Sequence, residues 1–334
     1  MNQLGVGIAI TGSGSATPDV SLDNHQLSLM VETSDEWIKS RTGIQARRLA
    51  DAQVSLTQLA ARAGKNAIAM AGITPQDLDL IILATSTPDD LFGTAGQIQA
   101  SLGATQAVAF DLTAACSGFV FAMVTAAQFI RTGTYKNVLL IGADILSRWV
   151  NWQDRGSCIL FADGAGAVVM QANECDRFLG FSIRSDGTQY KYLQLAYVPQ
   201  NQELVKGIEV GKGNFQPIVM NGKEIYRFAV QKVPEVIEKA LFHANLTTED
   251  IDWLLLHQAN QRILDAVAER LKINSAKVIS NLANYGNTSA ASIPLALDEA
   301  VRQGKVKAGD AIAAAGFGAG LTWGATIFRW GRQS

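Results

Sequence analysis

The sequence has little cysteine, little histidine and no excess of charge of either sign. Its 334 residues include three cysteines and three histidines, with 28 basic and 30 acidic side chains. An odd cysteine count without a CxxC pair argues against a disulfide framework, and no cysteine or histidine has metal-ligand spacing to another. A net charge of −2 gives no general attraction to nucleic acid or to an acidic membrane surface. We therefore expect neither a metal centre nor a nucleic-acid partner.

The sequence also lacks the usual marks of secretion or membrane insertion. It begins MNQLGVGIAITGSG, without a charged segment followed by a long apolar stretch, so no signal peptide is expected. One uncharged run, residues 112–130, is long enough to span a bilayer, but it contains polar residues and has no flanking topology signals. A helix buried in a large core fits it better. We expect a protein of the reducing cytoplasm that does not bind a membrane.

Apolar residues, by contrast, make up 48% of the chain and occur in short β-rich runs that alternate with helical stretches. The predicted strands are residues 7–11, 80–84, 108–112, 138–142 and 165–170. The predicted helices among them are residues 56–71, 93–102 and 117–131. This alternation predicts an α/β protein with βαβ units and a mainly parallel sheet that is covered on both faces.

A long internal repeat relates the two parts of the chain. Residues 71–83, AGITPQDLDLIIL, align without a gap to residues 244–256, ANLTTEDIDWLLL, at an offset of 173 positions. Because solenoid repeats are several times shorter, this length indicates one fold used twice. We expect an N-terminal half at residues 1–173 and a C-terminal half at residues 174–334.

The repeat brings three reactive side chains to similar positions. Cys116 follows the predicted strand 108–112, His257 follows an apolar strand of the second half, and the repeat pairs Asn287 with Cys116 to within a residue. Ligands bind at the carboxyl edge of open parallel sheets, so we expect the three side chains to converge there. The helix that begins after Cys116 is expected to favour the thiolate form of its side chain.

Each of these residues alone has an ordinary structural explanation. A free cysteine is often a small buried side chain, a histidine at a strand end is often a core residue, and Asn287 fits the N-cap of a helix predicted over 288–301. The remaining cysteines and histidines are assigned no chemistry: Cys158 is predicted in the core, Cys175 as an incidental thiol, and His25 and His243 at the surface. Only the combination of the three residues favours catalysis.

Six ordered motifs resemble those of the β-ketoacyl-acyl-carrier-protein synthase III family, which are thiolase-like condensing enzymes. They are ACSG at Cys116, HQAN from His257, GNTSAAS around Asn287, SDEWIKSRTGI from Ser34, FADGAGA from Phe161 and GFGAGLTWG from Gly316. The resemblance covers essentially the whole chain. It implies a thiolase-like, five-layered αβαβα fold made of two pseudo-symmetric halves.

The resemblance implies a decarboxylative Claisen condensation that initiates fatty-acid biosynthesis and needs no metal or redox cofactor. Cys116 would attack an acyl-CoA, by default acetyl-CoA, and release coenzyme A. Malonyl-acyl carrier protein would then lose CO₂ and take the acyl group in a ping-pong sequence. His257 and Asn287 would stabilise the developing oxyanion, and backbone N–H groups of Cys116 and Gly318 would bind the acyl oxygen.

The resemblance also assigns residues to substrate binding and assembly. Trp37 and Arg155 would sandwich the adenine of coenzyme A, with Arg41 near its phosphates. The pantetheine arm would be lined by Gly222, Tyr226, Ala259, Asn260 and Ile263. The acidic acyl carrier protein would contact Arg227, Arg262, Arg270 and Lys272, each of which fits a solvated helix charge equally well. Phe317 would pack beside the nucleophile, and Phe92 would close the acyl pocket of a second subunit in a homodimer.

Other classes of protein share parts of this pattern. Papain-like proteases also use Cys–His–Asn, but the sequence has no CGSCW-type signature around Cys116. A catalytically silent carrier-binding module would have lost its nucleophile. Plant-type polyketide synthases share the trio, so the starter acyl group stays open. A dinucleotide site is not expected, because GSGSAT lacks the third glycine and GFGAG precedes a strand-like segment.

Overall fold

Two five-stranded sheets form the framework of the chain, of which the computed structural model describes residues 5–332. In chain order, the strands are β1 (Gly7–Ala16), β2 (Ser21–Asp23), β3 (Ala46–Arg48), β4 (Leu80–Ala84), β5 (Val108–Leu112), β6 (Asn137–Ile145), β7 (Asp163–Asn173), β8 (Phe178–Ser185), β9 (Leu193–Gln194), β10 (Tyr197–Val205), β11 (Ile208–Phe215), β12 (Val219–Met220), β13 (Trp253–Leu256), β14 (Val278–Ile279), β15 (Ala311–Gly318) and β16 (Thr322–Arg329). The helices are α1 (Asn24–Leu27), α2 (Asp35–Thr42), α3 (Leu56–Ala71), α4 (Ala95–Leu102), α5 (Gly118–Arg131), α6 (Arg155–Cys158), α7 (Gly222–Ala244), α8 (Gln261–Arg270), α9 (Leu282–Tyr285) and α10 (Ser292–Arg302).

The two sheets have the same topology. The first has the order β5-β4-β6-β7-β1 and the second the order β14-β13-β15-β16-β8. In each, the first three strands are mutually parallel and the last two pair antiparallel to their neighbours. The predicted α/β fold class is confirmed, whereas the expectation of a mainly parallel sheet is wrong. The turn between β15 and β16 is too short for the crossover that a parallel pairing requires, so these strands form a hairpin.

The packing of apolar side chains defines five layers. Alternate residues of β4 point to opposite faces, so Ile81 and Leu83 pack with α3 and α4, while Leu80 and Ile82 pack with α5 and α10. The second sheet packs one face on α5 and α10 and the other on α7 and α8. The order is therefore helices, sheet, helices, sheet, helices, as expected for the αβαβα arrangement. The division at residue 173 stays a prediction, with β7 ending at Asn173 and β8 beginning at Phe178.

The internal repeat is reproduced in detail by the structure. In each half a threonine, Thr74 or Thr247, starts a short 3₁₀ turn and donates its N–H and hydroxyl to the aspartate three residues later. A second pair of 3₁₀ turns, at 115–117 and 289–291, leads into α5 and α10, and both turns contain a residue with positive φ. Because the two turns correspond, Cys116 aligns with Ala290, which lies three residues after Asn287. The predicted pairing of Cys116 with Asn287 is therefore wrong by three residues.

The uncharged run at 112–130 becomes the end of β5, a turn and most of α5, which lies buried in the central layer. The core-helix interpretation of this run is thus confirmed. Within residues 5–332, no helix combines the length and the apolar character needed to cross a membrane.

Candidate active site

Cys116 lies in the 3₁₀ turn that precedes α5, and its side chain is buried, with 6% exposure. The preceding residue, Ala115, has φ 48°, which turns the chain sharply between β5 and the helix. The backbone of Gly318 packs directly on the cysteine, because a Cβ added at that glycine would lie 2.7 Å from the Cys116 nitrogen. The hydroxyl of Ser289 donates a hydrogen bond to Cys116 Sγ at 3.3 Å.

His257 follows β13 and is held by three contacts. Its backbone N–H bonds the Ala315 carbonyl at 2.8 Å, its Nδ1 lies 2.7 Å from Ser292 Oγ, and its ring meets Phe317 edge-on with centroids 5.2 Å apart. Burial lowers the pKa of the imidazole to about 3. The ring is therefore neutral at physiological pH, since a charged imidazole would lose its hydration here.

Asn287 is fixed by its backbone and by its own side chain. It pairs with the chain at Phe161, donating its N–H to the Leu160 carbonyl and accepting the Ala162 N–H, each at 2.9 Å. Its Oδ1 accepts the Ser289 backbone N–H at 2.9 Å. Because the amide oxygen is occupied, the Nδ2 hydrogens are the side-chain donors available to a ligand.

Cys116, His257 and Asn287 line one cavity of about 250 Å³, together with Phe317 and Gly318. The structure thus brings the three side chains together, although their catalytic roles remain predictions. The same cavity is lined by other residues named from the sequence, namely Trp37, Arg41, Gly222, Ala259, Asn260 and Ile263. Tyr226 is not among the lining residues, and its ring instead carries the guanidinium of Arg262 at 5.7 Å.

A second cavity, of about 440 Å³, also reaches Cys116. Its walls are mainly apolar, and Leu193, Leu195, Phe215 and Ile218 contribute to them from β11 and the segments on either side of the β10–β11 hairpin. The nucleophile candidate therefore stands where two cavities meet, one that reaches the exposed Arg41 and one that is wide and apolar.

The expectation that the turn favours a thiolate is wrong. Burial raises the pKa of the Cys116 thiol to about 12, and the charge of Asp144 acts in the same direction, while the Ser289 hydrogen bond opposes them. Loss of hydration outweighs the partial charge of the helix start, because a thiolate without water or a cation is costly in the interior. The thiol is therefore the resting form.

The charged residues expected to contact coenzyme A and the carrier protein are exposed. The Arg155 guanidinium stacks on the Trp37 ring at 4.8 Å from its centroid, and that of Arg41 lies 5.7 Å from the same centroid. Two of the four basic residues pair with acids: Arg227 with Glu224 at 2.9 Å, and Arg270 with Glu235 at 3.9 Å. In the described chain, Arg262 and Lys272 have no carboxylate within 4.0 Å.

The remaining residues named from the sequence are Phe92, two cysteines and two histidines. Phe92 is fully exposed on the single chain and lines neither cavity at Cys116. Cys158 is buried in the core and Cys175 is exposed, as expected, and His25 and His243 are exposed as well. Residues 5–332 contain no group of three or more His, Cys, Asp or Glu side chains that could hold a metal ion.

Sequence reasoning missed three polar residues beside the trio. Ser289 and Ser292 contact Cys116 and His257, and the buried carboxylate of Asp144 lies at the end of β6. Asp144 could have been noticed, because it follows a predicted strand just as Cys116 and His257 do. The contacts of the serines depend on a positive φ at Ser289, which the sequence does not reveal.

A duplicated αβαβα fold with a buried cysteine, histidine and asparagine around one cavity defines a thiolase-like condensing enzyme. Comparison with known proteins agrees with this class. Residues 110–187 match the family model described as 3-oxoacyl-[acyl-carrier-protein] synthase III, and residues 241–330 match the model of its C-terminal part.

Individual relatives cover nearly the whole chain. The β-ketoacyl-[acyl-carrier-protein] synthase III of Trichormus variabilis is 72% identical over 98% of this chain and 99% of its own length. The crystal structure of 3-oxoacyl-[acyl-carrier-protein] synthase III from Aquifex aeolicus superposes with a TM-score of 0.89 at 44% identity, covering 97% of this chain and all of its own. A priming β-ketosynthase from the R1128 polyketide pathway has a TM-score of 0.90 at 31% identity, covering 99% and 98%.

The chain belongs to the β-ketoacyl-acyl-carrier-protein synthase III family. The resemblance found in the sequence is thereby confirmed. The chain is a condensing acyltransferase of fatty-acid biosynthesis.

Proposed function

We propose that the chain transfers an acyl group from acyl-CoA to Cys116 and condenses it with malonyl-acyl carrier protein. The observation that carries this proposal is the position of Cys116 at the junction of two cavities, with the donors of His257 and Asn287 in one of them. The apolar cavity suits a short acyl chain, and the other suits the thioester arm. Acetyl is the expected starter.

In the first half-reaction, Cys116 attacks the thioester carbonyl of acyl-CoA, and coenzyme A leaves as the thiol. The Cys116 N–H and the Gly318 N–H are assigned to the acyl oxygen. The close packing of Gly318 on Cys116 supports this assignment, because a Cβ at position 318 would lie only 2.7 Å from the Cys116 nitrogen. Phe317 packs on His257 and keeps its ring beside the nucleophile.

In the second half-reaction, malonyl-acyl carrier protein loses CO₂ and its enolate attacks the acyl-Cys116 carbonyl, giving β-ketoacyl-acyl carrier protein. Two neutral donors stabilise the enolate oxygen. The Ser292 hydroxyl accepts the Gln258 N–H at 3.3 Å and lies 2.7 Å from His257 Nδ1; we assign its hydrogen to Nδ1, which leaves the ring hydrogen on Nε2. Asn287 supplies its Nδ2 hydrogens, since its oxygen is already bonded.

Coenzyme A is assigned to the cavity that begins at Trp37 and Arg41. An adenine between Trp37 and Arg155 needs roughly 7 Å, twice the optimal carbon–carbon separation, whereas the guanidinium now lies 4.8 Å from the ring centroid. Arg155 is exposed and gives way on binding. The pantetheine arm then follows Gly222, Ala259, Asn260 and Ile263, with Tyr226 behind them.

The carrier protein is assigned to the basic residues Arg227, Arg262, Arg270 and Lys272, which lie on α7, on α8 and just after α8. We further propose a homodimer in which Phe92 of one subunit closes the apolar cavity of the other. The complete exposure of Phe92 and the open cavity at Cys116 support this.

No metal or redox cofactor is assigned. A reducing cytoplasm is the proposed compartment, in line with three free cysteines.

The deciding experiment is intact-protein mass spectrometry after mixing with acetyl-CoA, followed by addition of malonyl-acyl carrier protein. We expect an acetyl adduct that maps to Cys116 and disappears as CO₂ and acetoacetyl-carrier protein form. The Cys116→Ser variant should give no adduct. Absence of an adduct with every acyl-CoA tried would indicate a silent carrier-binding module, and thioester hydrolysis without CO₂ release would indicate a hydrolase.

A further inference from the structure

Asp144 is a buried carboxylate for which the proposed mechanism has no use. It lies at the carboxyl end of β6 with no exposed surface, and it forms no salt bridge within the described chain. Its Oδ1 accepts hydrogen bonds from the Thr85 and Thr87 hydroxyls at 3.1 and 2.9 Å and from the Ser86 N–H at 2.8 Å. Its Oδ2 accepts the Ala290 N–H at 3.2 Å.

Ser289 connects this carboxylate with the nucleophile. Its hydroxyl lies 3.3 Å from Cys116 Sγ and near enough to Asp144 to stabilise the carboxylate anion. The positive φ of Ser289, 53°, bends the chain so that its side chain and the next backbone N–H both turn toward β6. The hydroxyl donates to Cys116 Sγ in this arrangement, and rotation about its Cβ–Oγ bond lets it donate to Asp144 instead and accept the S–H with a free lone pair.

The thiol needs a proton acceptor, because it is the resting form and only the thiolate attacks a thioester efficiently. His257 is poorly suited to this task, since its Nδ1 is engaged by Ser292 and burial holds its pKa near 3. Burial raises the pKa of Asp144, which makes its carboxylate a better base than an exposed one. The charge of Asp144 in turn raises the pKa of the Cys116 thiol.

We propose that Ser289 and Asp144 form a proton relay that activates Cys116 during acylation, an inference that rests on the proposed function of Cys116. The S–H proton passes to Ser289 Oγ while the Ser289 hydroxyl proton passes to the Asp144 carboxylate. The sulfur forms a bond to the thioester carbonyl carbon and the bond from that carbon to the coenzyme A sulfur breaks. The proton on Asp144 returns through Ser289 to the departing thiolate, so the enzyme ends as acyl-Cys116 with an ionised Asp144.

In this scheme Ser289 is a catalytic residue, because it touches the reacting sulfur, and Asp144 acts through it. The relay serves acylation only. Once the sulfur is acylated it has no proton to transfer, so decarboxylation of malonyl-carrier protein does not use Asp144.

The test compares rapid-quench acetylation of Cys116 in the wild type, Ser289→Ala and Ser289→Gly. Glycine adopts a φ near 53° without strain and so keeps the turn if alanine disturbs it. We expect both variants to acylate on the order of 10²-fold more slowly near neutral pH, the usual contribution of general-base catalysis. Their rates should rise with pH, whereas the wild-type rate should be nearly constant, and slowing by D₂O should be seen in the wild type alone.

The matched control is Ser13→Ala, which removes another buried serine hydroxyl that bonds a buried carboxylate, Asp298, at 2.9 Å. It should acylate like the wild type. Asp144→Asn separates the relay from simple electrostatics. If Asp144 acted only through its negative charge, the variant would favour the thiolate and acylate faster. If Asp144 accepts the proton, the variant acylates more slowly.

Alkylation of Cys116 by iodoacetamide gives a second readout that does not depend on the proposed substrate. If no acyl-CoA acylates the wild type, the proposed function fails, but the relay still predicts slower, more pH-dependent alkylation in Ser289→Gly. Wild-type rates in Ser289→Gly in both assays, or faster acylation in Asp144→Asn, would overturn the relay.

Discussion

At the scale of single residues, burial shifts the pKa values of cysteine and histidine in opposite directions. Both side chains are left neutral, because burial disfavours the charged form of each. It raises the pKa of Cys116 to about 12 and lowers that of His257 to about 3. A neutral imidazole is a donor at one nitrogen, and a neutral thiol is protected against premature reaction. We therefore expect charge to develop only when substrate occupies the cavity.

The resting charge of Cys116 can be measured by its thiolate absorbance in the ultraviolet, taken as the difference between wild type and Cys116→Ser. Since burial raises its pKa to about 12, we expect no Cys116 signal from neutral pH through the ordinary thiol pKa of about 8.5. Exposed Cys175 is common to both proteins and cancels in the difference. A titration midpoint near or below neutrality would show that the turn favours the thiolate after all.

The two donors make a second prediction. His257→Ala or Asn287→Ala should each slow CO₂ release from malonyl-carrier protein by roughly 10²–10³-fold, because one oxyanion donor is lost. Since the pKa of His257 is about 3, the wild-type rate should show no inflection from this group between about pH 5 and 8. His243→Ala, which changes an exposed histidine, is the control. Unchanged CO₂ release in His257→Ala would exclude the assigned role.

The trio could be named from the sequence because cysteine, histidine and asparagine are rare or distinctive at strand ends and their motifs resemble one family. Ser289 and Asp144 could not be singled out in the same way. Serine and aspartate are common residues, and their meeting at Cys116 depends on a left-handed turn and on the contact of two halves. The charge state of Cys116 also depends on burial, which local sequence does not give.

At the scale of secondary structure, the best predicted elements were those with a clear apolar run or a clear helical period of apolar residues. The strands at 80–84 and 108–112 and the helix at 56–71 have the predicted bounds. The antiparallel outer strands were not predicted. A buried strand has the same apolar sequence pattern whether its neighbour is parallel or antiparallel, so the pattern does not give the direction. The strands and turns around residues 187–220 were left without prediction, since their side chains are largely exposed and carry no clear period.

The approach of β15 to the turn at Cys116 can be tested with Gly318→Ala. The added Cβ would lie 2.7 Å from the Cys116 nitrogen and 3.1 Å from Cys116 Cβ, so one of the two backbones must shift. Acylation should fall sharply, while the free energy of unfolding should fall by about 1–3 kcal/mol, as for other overpacked cores.

The control for this variant is Gly96→Ala in α4, where an added Cβ meets no atom within 4 Å. It should acylate normally and be stabilised by up to about 1 kcal/mol, because alanine favours a helix. Denaturant unfolding and rapid-quench mass spectrometry measure both properties. Normal acylation in Gly318→Ala would exclude the glycine from the acyl-oxygen site.

At the scale of the whole molecule, the active site exists because the two halves meet back to back. The turn before α5 supplies Cys116, while the second half supplies His257, Asn287, Gly318 and the relay serine. The repeat made this meeting predictable in outline, because it places strand ends of both halves at one edge. The three-residue error in pairing Cys116 with Asn287 shows its limit, since turns of equal shape need not carry equivalent side chains.

The overall charge of −2 leaves carrier-protein recognition to a local surface, and Arg262 is the residue by which to test it. It lies at the start of α8, beside the cavity mouth, with its guanidinium on the Tyr226 ring. Arg262→Glu should raise the KM for malonyl-carrier protein several-fold, since an exposed ion pair contributes about 1 kcal/mol or less, while acylation by acetyl-CoA stays near the wild-type rate. Added salt should reduce the difference in KM between wild type and variant, because it screens exposed charges.

The control is Lys65→Glu, which makes the same charge change on α3, in the outer layer of the other half. It should leave both half-reactions unchanged. Equal losses in the two half-reactions of Arg262→Glu would mean that Arg262 supports the cavity mouth and does not recognise the carrier.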